Sequence, residues 1–141
     1  MEVVVVGSQL IREWVYSTLK TDPTLSGLVS GRVFLQGSVL SAQQAKPYLV
    51  YHFGNQTDEG MYDEDNFQPS RQFLQVFMHV DQGDYGPVDD IADAVKAALL
   101  SVAGRPPMLV GMQYLETSQD LQDNLLQTFF RYARFQIAQA K

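Results

Sequence analysis

Six residues that could bind a metal or move a proton fall within fifteen positions of this sequence: His79, Asp81, Asp84, Asp89, Asp90 and Asp93, in HVDQGDYGPVDDIADAV. Imidazole and carboxylate are the ligands of zinc and calcium sites, and a histidine beside an acid is the kit of general acid–base catalysis. Either chemistry requires the side chains to converge. Here Asp81, Gln82, Gly83 and Asp84 read as a turn closing a strand. Asp89, Asp90 and Asp93 fall in the first turns of a helix, where negative side chains offset the partial positive charge of exposed N–H groups. His79 alternates with Val80 and points to the opposite side of its strand. No metal-ligand signature such as the calcium-loop pattern fits, so the cluster is expected to be a structural seam that holds no metal.

The second histidine, His52, lies in YLVYHFG. On adjacent strands His52 and His79 could be neighbours, and either one with a nearby carboxylate would make a small hydrolase; no residue completes a recognisable triad, and a satisfied strand histidine is expected instead. Asp58, Glu59, Asp63, Glu64 and Asp65 crowd NQTDEGMYDEDNFQPS. Paired carboxylates cleave glycosides when held at a set separation in a cleft, which a glycine-punctuated loop does not supply. That stretch, about Asn55 to Ser70, is expected to be a solvated surface loop, disordered in the free subunit and ordering on a partner. VVVVGSQLIREWV has one glycine where a dinucleotide-binding turn needs three. No cofactor is implied.

The elements that would hold these residues follow from periodicity. SQLIREWVYSTLKTDP places Leu10, Ile11, Trp14, Val15, Thr18 and Leu19 at helical spacing, with Ser8 as N-cap, Trp14 in the core and Pro23 beyond the end. LSGLVSGRVFLQG predicts a turn into a short strand at Arg32–Leu35, and KPYLVYHFG a strand from Tyr48 to Gly54. RQFLQVFMHVD alternates cleanly: Leu74, Val76, Met78 and Val80 on one face, Phe73, Gln75, Phe77 and His79 on the other. GPVDDIADAVKAALLSVAG is a helix with Pro87 at its first position, Ile91, Val95, Ala98, Leu99 and Val102 along one side, and Gly104 just past its end. MLVGMQYLET and LQTFFRYARFQIAQA are two strands joined as a hairpin near SQDLQDN. The order α-β-β-β-α-β-β predicts a single α+β domain spanning residues 1–141, with a largely antiparallel sheet and two helices packed on one face.

Composition narrows the function. The chain has 141 residues, 45% of them apolar and 18% charged, enough to build one core. Without cysteine it has no disulfide, thiolate site or cysteine nucleophile. Ten Lys and Arg against sixteen Asp and Glu give a net charge of −6 and a pI near 4.7. With no basic run to displace counterions, a nucleic-acid-binding face is not expected. MEVVVVGSQL lacks a basic start and the length of a membrane span, so a soluble protein is expected, with no membrane partner.

The last strand sets Phe129, Ala133, Phe135 and Ile137 on one face and Phe130, Tyr132, Arg134 and Gln136 on the other. A sheet covered by helices on one side needs one apolar face. The second set, with Phe73 and Phe77, is therefore a candidate contact surface, to be covered by the chain's own loops or by partners.

The segments LKTDPTLSGLVSGRVF, KPYLVYHF and FLQVFMHV, leading into VDDIADAVKAALL, resemble in kind and order the tail terminator (tail completion) proteins of long-tailed bacteriophages. The likeness covers about residues 8 to 139. It departs at Asp81, where relatives often carry an aromatic. The resemblance implies a ring of six subunits that caps the tail tube, stops its polymerisation and offers another surface to the connector at the head. It implies a location at the head-proximal end of the virion tail, with assembly in the host cytoplasm. DNA would pass through the ring without being bound, which an acidic bore suits. The alternatives are another neck or head–tail joining protein, or the small hydrolase.

Overall fold

The structure, a computed structural model, describes residues 6–36, 39, 43–58, 70–101 and 104–139. Helix α1, Val6–Thr21, buries Ile11, Val15 and Leu19, one residue per turn, against the sheet. It begins two residues before Ser8, which therefore lies inside the helix rather than capping it.

Pro23 ends α1, because the residue before a proline is pushed out of helical geometry; Asp22 sits at φ −58°, ψ 128°. The chain then starts a second helix, α2, Pro23–Val29, where a turn was expected. The Asp22 carboxylate accepts the Leu25 N–H at 3.1 Å, and Pro23 fills the first helical position. Ser30 closes α2 in the left-handed region, donating its N–H to Ser26 O. A seven-residue helix with two buried residues, Leu25 and Val29, is too short to show a period in sequence. Asp22→Ala should cost about 1 kcal/mol of stability by urea unfolding, the usual worth of an N-cap. A loss of a few tenths would mean that water replaces the carboxylate at no cost.

The strands are β1 (Val33–Leu35), β2 (Tyr48–Asp58), β3 (Ser70–Asp81), β4 (Leu109–Thr117), β5 (Leu121–Asp123) and β6 (Thr128–Gln139), with α3 (Pro87–Leu100) between β3 and β4. The sheet order is β1-β2-β3-β6-β4, and β5 also pairs with β6. All pairs are antiparallel except β1 with β2. Arg32 secures that parallel pair: its Nε donates to Pro47 O at 2.9 Å, and its own carbonyl accepts from Leu49 N at 2.9 Å. The expected α+β class and mostly antiparallel sheet are present, with three helices rather than two.

Strand β2 runs four residues further than expected, through Asp58. Its register shifts between Phe53 and Gln56. Gly54 lies there, where a Cβ would stand 3.5 Å from the Phe73 Cβ; a strand glycine at a bulge is the reason the pattern breaks without ending the strand. Asn55–Asp58 and Ser70 thus belong to strands, and Asp58 pairs with Ser70. The rest of the acidic stretch, with Glu59, Asp63, Glu64 and Asp65, lies outside the described residues.

The core lies between the helices and one face of the sheet. Leu49, Leu74, Val76, Met78, Val80, Ala133, Phe135 and Ile137 meet the helical residues Ile11, Val15, Leu25, Val88, Ile91, Val95 and Leu99. Helix α3 stops at Leu100, ahead of the expected Gly104 cap. Arg105 serves instead, donating Nη2 to Leu99 O at 3.1 Å with its guanidinium over the Trp14 ring, a cation at the negative end of the helix.

Candidate functional site

The chemistry-bearing cluster does not converge. Asp89 leaves it to pair with Arg131 at 2.7 Å, and Arg131 also reaches Asp120 at 3.2 Å and Ser118 O at 3.1 Å. This joins the start of α3 and the β4–β5 connection to β6. Asp81 O accepts from Asp84 N at 3.0 Å, the expected turn. Asp90 and Asp93 border a groove between α2 and α3. His79 turns to the other face of the sheet and is buried, at 6% exposure. Among the described residues no group of three His, Cys, Asp or Glu could hold a metal ion. Wild-type protein and an Asp81→Asn, Asp84→Asn variant should melt at temperatures unmoved by micromolar Mg²⁺, Ca²⁺ or Zn²⁺. A rise of several degrees in the wild type alone would reveal a metal site.

His52 and His79 are not neighbours. His79 pairs with Tyr48 and His52 with Gln75, so the row of Val50 and Phe77 lies between them on that face. Sequence identifies the strands but not their register, and the alternative of an imidazole pair fails on that ground.

The second sheet face, by contrast, gathers the residues expected there. Reading across β2, β3 and β6, one row holds Tyr48, His79 and Phe130, the next Val50, Phe77 and Tyr132, and the third His52, Gln75 and Arg134. Phe77 stands 6.0 Å from Phe130 and 5.4 Å from Tyr132 between ring centres. The Arg134 guanidinium lies 4.4 Å from the centre of the Phe73 ring and 3.6 Å from Glu116 on β4. Phe73, Phe77, Phe130, Tyr132 and Arg134 are all half-buried. Tyr48, Val50 and His52 were missed as members, although the alternation of YLVYHF carries that signal.

This face is covered at one end. Gln36, Val39 and Leu126 rise beside Val50, Phe77, His79, Phe130 and Asp123 around a cavity of about 200 Å³. His79 is stacked between Tyr48 at 4.8 Å and Phe130 at 4.9 Å, and its Nδ1 is 2.8 Å from Thr128 Oγ1. Burial pushes the imidazole pKa down to about 4; Asp123 opposes the shift and Lys46 adds to it. Burial likewise raises the Tyr48 phenol to about 12, helped by Asp123. At the other end a more open groove is lined by His52, Gly54, Phe73, Gln75, Tyr132 and Arg134. Among the described residues, the chain's own segments thus cover one end of the face and leave the other more open.

Helices seal one side of the sheet, and the other carries the aromatic and arginine face. The chain matches the family described as "Tail completion protein gp17" over residues 13–139, and it belongs to that family: it is a structural component of a phage tail, not an enzyme. Among solved structures it is similar to a chain in the virion of a native gene transfer agent particle, with TM-score 0.76, 18% identity, and 98% of this chain and 100% of that one covered. At that identity the likeness is one of fold. The structure of bacteriophage SPP1 gp17 protein is matched with TM-score 0.48 and 16% identity, over 94% of this chain and 90% of that one. No curated protein matches the chain.

Proposed function

We propose that this protein is a tail terminator: a hexameric ring that caps the finished tail tube, stops its polymerisation and presents the surface to which the head connector, or stopper, joins. It would sit at the head-proximal end of the tail and assemble in the host cytoplasm. The observation that carries this reading is the half-covered face of Phe73, Phe77, Phe130, Tyr132 and Arg134 in a chain of the tail completion family. Apolar surface of that kind drives association, and Asp58, Glu59, Asp63, Glu64 and Asp65 are proposed as polar contacts to partners. DNA would cross such an acidic ring without specific binding.

Tails made without the protein decide the matter. Electron microscopy should show tubes of uncontrolled length that fail to join heads. Tubes of normal length that fail to join heads would make the protein a joining component of the neck instead. Association should also respond to salt. Each subunit carries a formal charge of −6, and salt near physiological strength cuts the reach of that repulsion to about 8–10 Å. Sedimentation should therefore find small species at low salt and rings at raised salt, with Mg²⁺ or on tube ends. A strict monomer under all these conditions that also ignores tail tubes would end the terminator reading.

A further inference from the structure

The cavity beside His79 has the walls of a side-chain receptor. Phe77, Phe130, Val50 and Leu126 supply apolar surface, and Asp123 supplies a carboxylate. One Asp123 oxygen accepts the Leu126 N–H at 2.9 Å, which fixes the carboxylate in the β5–β6 turn. The Tyr48 hydroxyl is buried and finds no hydrogen-bond partner among the described residues, and Asp123 is close enough to act on it. A volume of about 200 Å³ suits one long side chain, since an apolar cavity of about 150 Å³ already admits benzene. It does not suit a folded segment.

The field in the cavity selects the occupant. Asp123 acts on His79 more strongly than Lys46 does, in the opposite sense. The buried imidazole, neutral near pH 7, adds no positive charge. Aromatic rings beside a carboxylate favour a cation on an apolar stem. We propose that this cavity receives an arginine or lysine side chain from a different tail protein that adjoins this one. The inference rests on reading the sheet face as a contact surface. A second copy of this chain is poorly placed to supply that side chain, because its described cations are engaged at home. Arg32 binds Pro47 O, Arg105 binds Leu99 O, and Arg131 and Arg134 pair with acids. Arg12, Lys20 and Lys96 lie over rings of their own chain, and Lys46 and Arg71 also have contacts. The acidic net charge of the chain points the same way, to a basic partner.

The probe is n-butylguanidinium, titrated into the intact protein and followed by NMR, with n-butylurea as its neutral counterpart. Guanidinium should move the His79, Phe77 and Phe130 ring signals saturably and lower the His79 pKa further, as a nearby cation must. Butylurea should bind about fivefold more weakly, the worth of one partly exposed ion pair. Asp123→Asn, which keeps an acceptor for the Leu126 N–H, should reduce guanidinium binding to the level of the urea. Equal binding of the two probes to wild-type protein would overturn the proposal and leave an apolar pocket without charge recognition. So would shifts scattered over the surface, no saturation, or an Asp123→Asn variant that binds guanidinium undiminished. Tail length in the absence of the protein tests the terminator reading separately, so one can fail while the other stands.

Discussion

Phe135→Ala is expected to remove about 3–5 kcal/mol of folding stability, the range for deleting a buried phenylalanine. Phe135 is fully buried and sits in β6 opposite Leu74 of β3 and Tyr114 of β4. Its ring meets the Tyr114 ring edge-on, with centres 5.7 Å apart. The cost should reach the upper part of the range because the site cannot easily collapse: β6 is hydrogen-bonded on both edges there, so its backbone cannot move inward to fill the void. Urea unfolding should show a lower midpoint with an unchanged slope. A loss under about 1.5 kcal/mol would mean that neighbouring side chains repack into the space.

The second large effect depends on pH. His79 has a folded pKa of about 4, against 6.5 for an unhindered imidazole. The folded state therefore prefers the neutral ring. This contribution is fully present above pH 6.5 and is lost as pH falls through 4, where it amounts to about 3 kcal/mol. The physical cause is the sandwich between Tyr48 and Phe130, which strips water from a ring that must become charged. His79→Phe keeps the stack and removes the titration. At pH 7 it should be somewhat less stable than wild type, having lost the Thr128 contact. Between pH 6.5 and 4 it should lose less stability than wild type, and the two curves should approach or cross. Parallel curves through that window would show that the ring is accessible to water.

Legibility in the sequence followed the length of each pattern. The twelve-residue strands β3 and β6 alternate long enough to show which side chains share a face, and Phe73, Phe77, Phe130, Tyr132 and Arg134 do lie together. The seam reading of Asp81, Asp84 and Asp89 followed from turn and helix-start chemistry alone and agrees with their places in the structure. Short or non-local features were not legible. Helix α2 has two buried residues and no period, and β5 has three residues. The parallel pairing of β1 with β2 is a choice among sheet edges that no local pattern encodes. Register was hidden for the same reason, which is why His52 and His79 could be weighed as neighbours and why Tyr48 was not recognised as the partner of His79. The end of α3 differs from the expectation because a glycine is the usual stop signal, whereas here an arginine five residues beyond Leu100 binds the Leu99 carbonyl.

Strand β6 has a consequence for how the protein is made. It follows every other strand in chain order, yet it lies inside the sheet, with β3 on one edge and both β4 and β5 on the other. As the chain leaves the ribosome, β2 and β3 can pair early, but β3 keeps a bare edge and β4 has no neighbour until residues 128–139 emerge. Incomplete chains therefore cannot present the whole aromatic face, because Phe130, Tyr132 and Arg134 have yet to be synthesised. An exposed β3 edge of twelve residues is also an aggregation risk during that interval. Chains cut short by premature termination would be withheld from the growing tail by their own failure to fold.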